Sequence, residues 1–197
     1  MLPSKWWCAC ALLVAPACSL LPDPPPRIRW FSAAPERVSA IDAAVLVDAP
    51  VALRLRRVTA ARHLGERMAW RTGQEYGFRE LERWTELPEA VVSRTLEREL
   101  FESGVFLRDG RAVLALDVEV RAFEEAPAGS AAPRPRAYIE LGVLLTGAGD
   151  RALVDRAVTA LVELEGEGPA ALARAMCAAV GAVAAETRRQ IEAVAGA

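Results

Sequence analysis

The sequence has almost no histidine and almost no lysine. Its 197 residues contain one histidine, His63, and one lysine, Lys5. A single histidine excludes a metal site built from several imidazoles. The chain also lacks the GxxxxGK[ST] phosphate-binding loop, the GxSxG elbow of hydrolases and the GxGxxG turn of dinucleotide-binding proteins. No motif in the sequence therefore indicates a catalytic site, a cofactor or a metal, and we expect a protein that is not an enzyme.

An excess of either charge is also missing. The chain has 24 basic and 26 acidic residues, a net charge of −2. Nucleic-acid-binding domains are usually strongly basic, so this balance gives no support for such a partner. No uninterrupted apolar run reaches the roughly 18–20 residues that span a bilayer. Hydrophobic residues still make up 53%, which favours one domain with its own core.

The first 17 residues have the three parts of an export signal. Lys5 supplies the positive charge, residues 6–14 are apolar, and residues 15–17 (Ala-Pro-Ala) form a small-residue cleavage region. A buried helix fits poorly, because Pro16 and the prolines within residues 22–26 would break it. We therefore expect residues 1–17 to be a signal peptide.

Cys18 stands at the position where a bacterial lipoprotein carries its acylated cysteine. Ala15 occupies the place where leucine is usual, so simple secretion after Ala17 is the alternative. Removing residues 1–17 leaves two of the four cysteines, Cys18 and Cys177. We interpret Cys18 as the lipidation site and Cys177 as a thiol in an apolar helix. Residues 18–27 are rich in proline and would form a semi-rigid tether.

Two helices are predicted in the rest of the chain. Pro88 and Glu89 suit a first helical turn, and Gly104 suits a stop. Apolar residues recur between them at four-residue spacing, at Val92, Leu96 and Leu100. This pattern predicts a helix over 88–103. A second, longer helix is predicted from the Glu-Gly-Pro at 167–169 to about Val194.

Alternating apolar and polar residues predict the strands. The candidates are RIRWFSA, the stretch through Leu55, ERMAWRTG, a weak extended piece in EYGFREL, RAVLALDVEVRAFEE and AYIELGVLLTG. Residues 151–164 fit either a helix or a strand, and the short preceding GAGD turn favours a strand. We predict a single α/β domain over residues 28–197, with two main helices packed on a largely antiparallel or mixed sheet.

Aromatic and basic residues concentrate between positions 70 and 84. The set consists of Trp70, Tyr76, Phe78, Arg79, Arg83 and Trp84. One interpretation is that the aromatic residues form core between sheet and helix. The other is that the set is an exposed surface for a partner protein or for lipid head groups, because aromatic residues and arginine are enriched at interfaces.

The block ERMAWRTGQEYGFRELERWTELPEAVVSRTLERELFESGVF resembles the ABC-type transport auxiliary lipoproteins, the PqiC-like family. The likeness is carried by the Met-x-x-Arg of Met68 to Arg71, the aromatic pair Tyr76 and Phe78, and the Trp-x-x-x-Pro of Trp84 and Pro88. It ends in the Ser-Gly-x-Phe of residues 103–106. The acylated cysteine followed by a proline-rich tether is also similar.

This resemblance implies a lipoprotein of the outer membrane that faces the periplasm and catalyses no reaction. It would be an auxiliary component of an intermembrane lipid transport system, in which an inner-membrane ABC transporter works with periplasmic MCE-domain (mammalian-cell-entry) proteins. It would dock the periplasmic assembly, and a homo-oligomer is a further expectation. The alternative is a periplasmic envelope-assembly or binding lipoprotein that is not tied to a transporter.

Overall fold

A computed structural model describes residues 25–35, 50–102, 104–129 and 133–196. Its strands are β1 (Arg29–Phe31), β2 (Val51–Ala60), β3 (Arg67–Thr72), β4 (Glu75–Trp84), β5 (Phe106–Arg108), β6 (Leu114–Ala126), β7 (Arg136–Thr146) and β8 (Ala152–Glu163). Its helices are α1 (Pro88–Phe101) and α2 (Gly168–Ala195). The predicted α/β class with two main helices is confirmed.

All eight strands belong to one mixed sheet organised around β6. One edge of β6 pairs in parallel with β2 along its first half and with β3 near its end. The other edge pairs antiparallel with β7, which in turn pairs with β8. β4 runs antiparallel to β3, and the short strands β1 and β5 are parallel to β4 and β2. The described sheet therefore ends at β1, β5 and β8.

The two helices pack on the same face of the sheet, so the domain has two layers. α2 contacts β7, β8 and α1, and α1 contacts β2 and β6. Alternate residues of β7 are at most 1% exposed and form the centre of the core: Ala137, Ile139, Leu141, Val143 and Leu145. Successive side chains of a strand point to opposite faces. The residues between them therefore lie on the other face, which no helix of the described residues covers and which we call the open face.

Both helices agree with the sequence prediction. Val92, Leu96 and Leu100 of α1 are buried at 1% exposure or less, and the helix ends two residues before the predicted 103. α2 is long and apolar enough to cross a bilayer, with a mean hydropathy of 1.4 in its most apolar part. Half of that part is buried inside the domain, which fits a core helix.

Residues 151–164, which fitted either a helix or a strand, contain strand β8. Val154 and Val158 are buried on the helix-covered face, while Asp155 and Thr159 are exposed on the open face. The strand preference is therefore confirmed. The physical reason is the short connection after β7, which lets β8 turn back and pair along almost its full length.

Two strands differ in length from the prediction. The weak extended piece EYGFREL is part of a ten-residue strand, because β4 pairs with β3 and also with β1. The stretch RIRWFSA shortens to the three residues of β1. Strand length here depends on partners that are distant in the chain, and alternation within one segment does not show them.

Candidate interaction surface

The predicted aromatic and arginine set does not form one surface. Tyr76 and Phe78 lie on the open face of β4. Trp70 lies on the helix-covered side, where its register partner on β6 is Glu125. Arg79 lies on the same side, and its Nη2 donates to Glu125 Oε2 at 2.5 Å. The strand alternation thus separates residues that are close in sequence.

The last two members of the set support the fold. Trp84 is 2% exposed and packs edge to face on Phe123, with ring centroids 5.2 Å apart. Arg83 donates from Nη1 to the carbonyl oxygens of Arg79 and Glu82, at 3.2 and 3.0 Å. Trp84 is therefore a core residue in this structure, whereas Tyr76 and Phe78 are partly exposed.

Tyr76 and Phe78 form an aromatic cluster at one end of the open face. Their rings meet edge to face with centroids 5.3 Å apart, and His63 meets Tyr76 in the same way at 4.9 Å. The Arg67 guanidinium lies over the Phe78 ring, 4.4 Å from its centroid. Neighbouring groups thus hold both rings in place, and their outer parts stay available to a partner.

A buried carboxylate lies beside this cluster, at the middle of the sheet. Glu124 is 2% exposed, and Arg71 Nε lies 2.5 Å from its Oε1. The same Arg71 guanidinium lies 5.4 Å from the ring centroid of Tyr138, whose hydroxyl donates to Glu140 Oε2 at 2.6 Å. The arrangement is a polar network that crosses β3, β6 and β7 on the open face.

Burial changes the ionisation of this network. Desolvation raises the pKa of Glu124 from its ordinary value, and the charge of Arg71 opposes that rise. Burial, followed by the nearby negative charge of Glu124, raises the pKa of Tyr76 to about 12. Burial and the hydrogen bond to Glu140 raise the pKa of Tyr138 to about 12. Both tyrosines therefore stay protonated well above neutral pH.

An alkaline titration should show this directly, because Tyr76 and Tyr138 are the only two tyrosines of the chain. We expect the ultraviolet absorbance of phenolate to rise with a midpoint near pH 12 in the folded protein and near pH 10 in urea. Because the folded chain holds these protons longer, its stability should fall as the pH rises from 10 to 12. A folded protein, verified by circular dichroism, that titrates near pH 10 would contradict the described network.

Trp70 covers a glycine on the helix-covered side of the β3–β4 pair. Its register partner is Gly77, and a Cβ atom added at Gly77 would lie 2.5 Å from Trp70 Cε2. We expect Gly77→Ala to lower the free energy of unfolding by about 1–3 kcal/mol, because the indole has to move. Gly110→Ala is the matched control, since a Cβ there meets nothing within 4 Å. Equal denaturation midpoints for the two variants would contradict this packing.

A shallow depression of about 330 Å³ lies further along the open face. It forms where Gly142 has no side chain, and the Arg121 guanidinium lies over that glycine. Charged residues of both signs line it: Arg57, Asp117, Glu119, Arg121 and Asp155. Arg56 pairs with Asp117 through a bidentate contact, and Arg121 Nε donates to Glu119 at 3.1 Å. Most of these charges thus have partners within the protein.

Among the described residues, no group of three or more histidine, cysteine, aspartate or glutamate side chains could hold a metal ion. Sequence reasoning missed Glu124, Tyr138 and Glu140. The available signal was the run Phe-Glu-Glu at 123–125, which places two adjacent carboxylates at the end of an otherwise alternating strand. In the structure the four consecutive residues 122–125 are buried.

The predicted lipidation site and the signal lie outside the described residues. This applies to residues 1–17, to Cys18 and to the tether up to residue 24. The described chain begins at Pro25, shortly before β1.

Comparison with known proteins gives one family match. The model of a family described as "ABC-type transport auxiliary lipoprotein component" matches residues 33–187. No curated protein matches the chain. Among solved structures, protein XCC0632 from Xanthomonas campestris, described as a DUF330 protein, is similar with a TM-score of 0.67 and 22% identity, covering 87% of this chain and 94% of its own.

Another solved structure supports the fold in the same way. The hypothetical protein CT253 from Chlamydia trachomatis has a TM-score of 0.55 and 10% identity, covering 75% of this chain and 98% of its own. At these identities the likeness concerns the fold alone.

Proposed function

Because the chain belongs to the family of ABC-type transport auxiliary lipoprotein components, we propose that it is a lipid-anchored outer-membrane protein that docks the periplasmic part of a transport assembly. The partner we propose is an MCE-domain protein that works with an inner-membrane ABC transporter in moving lipids between membranes. In this role the domain binds and positions its partner, and it catalyses no reaction.

The observation that carries this proposal is the open face of the sheet. It combines the Tyr76–Phe78 cluster, the network around Glu124 and a depression lined by charges of both signs. Aromatic and arginine side chains held in place lose little conformational entropy when a partner binds. A broad, uncovered and prearranged polar face favours protein recognition over the enclosure of a small substrate.

The anchor is the second part of the proposal. Acylation of Cys18 would hold the domain at the membrane through its proline-rich tether, with the folded part in the periplasm. Ser19 follows Cys18, and the absence of an aspartate there favours outer-membrane sorting. Assembly of several copies into a homo-oligomer would present several open faces to one periplasmic partner.

A crosslinking pulldown from the native envelope tests the proposal. We expect the tagged protein to bring down an MCE-domain protein together with subunits of an ABC transporter, and to fractionate with the outer membrane. Recovery of envelope-assembly proteins without any transporter subunit would instead favour the alternative, a periplasmic binding or assembly lipoprotein without a transporter. A Val194→Ala protein is the control, because it changes an exposed apolar side chain of α2, away from the open face.

A further inference from the structure

Two large apolar side chains are exposed where the described chain begins. Ile28 and Trp30 each have 52% of their surface exposed. They lie in and just before β1, the strand at one end of the sheet, which pairs with β4. Arg27, also exposed, precedes them. Exposed apolar residues are ordinary one at a time, but two beside the predicted tether call for an explanation.

The strand register shows what surrounds Trp30. The register partners of Arg29 and Phe31 are Glu82 and Trp84, and Arg29 forms an ion pair with Glu82. Trp30 lies between them in sequence and therefore points to the opposite side. Its own register partner is Arg83, whose partner on β3 is Arg67. Trp30, Arg83 and Arg67 thus form a row of neighbours across the strands β1, β4 and β3, and Trp30 is the apolar residue at its end.

We propose that Ile28 and Trp30, flanked by Arg27, form a membrane-contact patch that rests on the phospholipid surface to which Cys18 is anchored. This inference rests on the proposed lipid anchor. Tryptophan prefers the interface between head groups and acyl chains, and arginine favours anionic lipid. Glu66 and Glu80 lie close in sequence to Arg67 and Arg83, the two arginines of the row. These acidic residues offset the positive charge, so burial of the apolar side chains has to supply most of the attraction to the membrane.

The length of the tether makes a phospholipid surface the favoured occupant. Ile28 follows Cys18 by ten residues, and a proline-rich chain spans roughly 3.1 Å per residue, or about 31 Å here. With Cys18 acylated, the ten residues reach at most about 36 Å even when fully extended, so the patch stays within that distance of the bilayer. At such a high effective concentration, two apolar side chains suffice for a contact that the free protein would make only weakly. Contact would turn a loosely tethered domain into an oriented one.

Quenching by brominated lipid tests the patch. The acylated protein is reconstituted into vesicles of phosphatidylethanolamine and phosphatidylglycerol with bromine near the head-group end of the acyl chains. We expect most of the wild-type quenching to disappear in Trp30→Phe, because Trp84 is buried and Trp70, which is partly exposed, lies on the helix-covered side of the sheet. Ile28→Ser keeps the reporter and should reduce the quenching roughly twofold or more. Val194→Ser, which alters an exposed apolar residue of α2, should leave the quenching unchanged.

The outcomes separate the patch from the anchor. The mass of the purified protein shows independently whether Cys18 carries lipid. If it carries none, the anchor fails, and quenching of the unanchored protein at millimolar lipid still tests the patch. The proposal would be overturned if the wild type emitted equally in brominated and in plain vesicles, which is the result expected for Trp30→Phe. Shielding of Trp30 from an aqueous quencher by the periplasmic transport protein, but not by vesicles, would also overturn it and assign the patch to a protein partner.

Discussion

Trp84→Ala lowers the free energy of unfolding by about 3–5 kcal/mol, which is the usual loss for a buried tryptophan or phenylalanine replaced by alanine. The side chain is 2% exposed and packs on Phe123. Its removal leaves a cavity between the sheet and the helices that the rigid strands cannot close. The thermal midpoint should fall by roughly 6–20 °C for a domain of this size, measured by circular dichroism.

Trp30→Ala is the matched control for that measurement. It removes the same side chain from a position that is 52% exposed, and such surface changes usually stay within about 0.5 kcal/mol. A Trp84→Ala protein that melts with the wild type but fails to capture its partner would contradict the core position of Trp84. It would support the alternative in which Trp84 belongs to an interface.

We expect Cys18→Ala to abolish acylation and to release the protein from the membrane, because we propose Cys18 as the lipidation site. Each buried methylene of an acyl chain contributes roughly 0.8 kcal/mol, so several chains together give stable attachment that the folded domain cannot replace. We expect the wild type in the membrane fraction and the variant in the soluble periplasmic fraction. Mass spectrometry of the N-terminal peptide should show lipid on the wild type only.

Cys10→Ala provides the control for the lipidation experiment. Cys10 lies inside the predicted signal, in a similar apolar setting, and its replacement should leave both the acylation and the fractionation unchanged. An unmodified wild-type peptide that begins at Cys18 would favour simple secretion, and the lipid anchor would then be wrong.

Patterns within one segment predicted most of the secondary structure. Spacing and end signals were sufficient for α1, where Pro88 begins the helix and Leu96 and Leu100 mark its buried stripe. Alternation was sufficient for β6 and β7, because each has a buried face against the helices and a partly exposed open face. These features depend on neighbours at most four positions away, so the sequence shows them directly.

The candidate surface was harder to predict, because it depends on pairing between distant strands. Glu124 is buried because β3 pairs in parallel beside the end of β6 and brings Arg71 to it. The register of β6 with β7 also shifts between Val120 and Ala122, which moves Phe123 onto the helix-covered face and Glu124 onto the open face. Neither the strand pairing nor the register shift produces a periodic pattern in the sequence. The aromatic set was therefore predicted as one group, although alternation divides it.

Site-specific photocrosslinking most directly tests the central claim that the open face binds the periplasmic transport assembly. Ala157 is exposed on the open face of β8, and Ala178 is exposed on α2, so a photoreactive residue at either position replaces a small exposed side chain. The account predicts an adduct containing the MCE-domain protein from position 157 and none from position 178. Adducts of equal yield from both positions, or from position 178 alone, would contradict it.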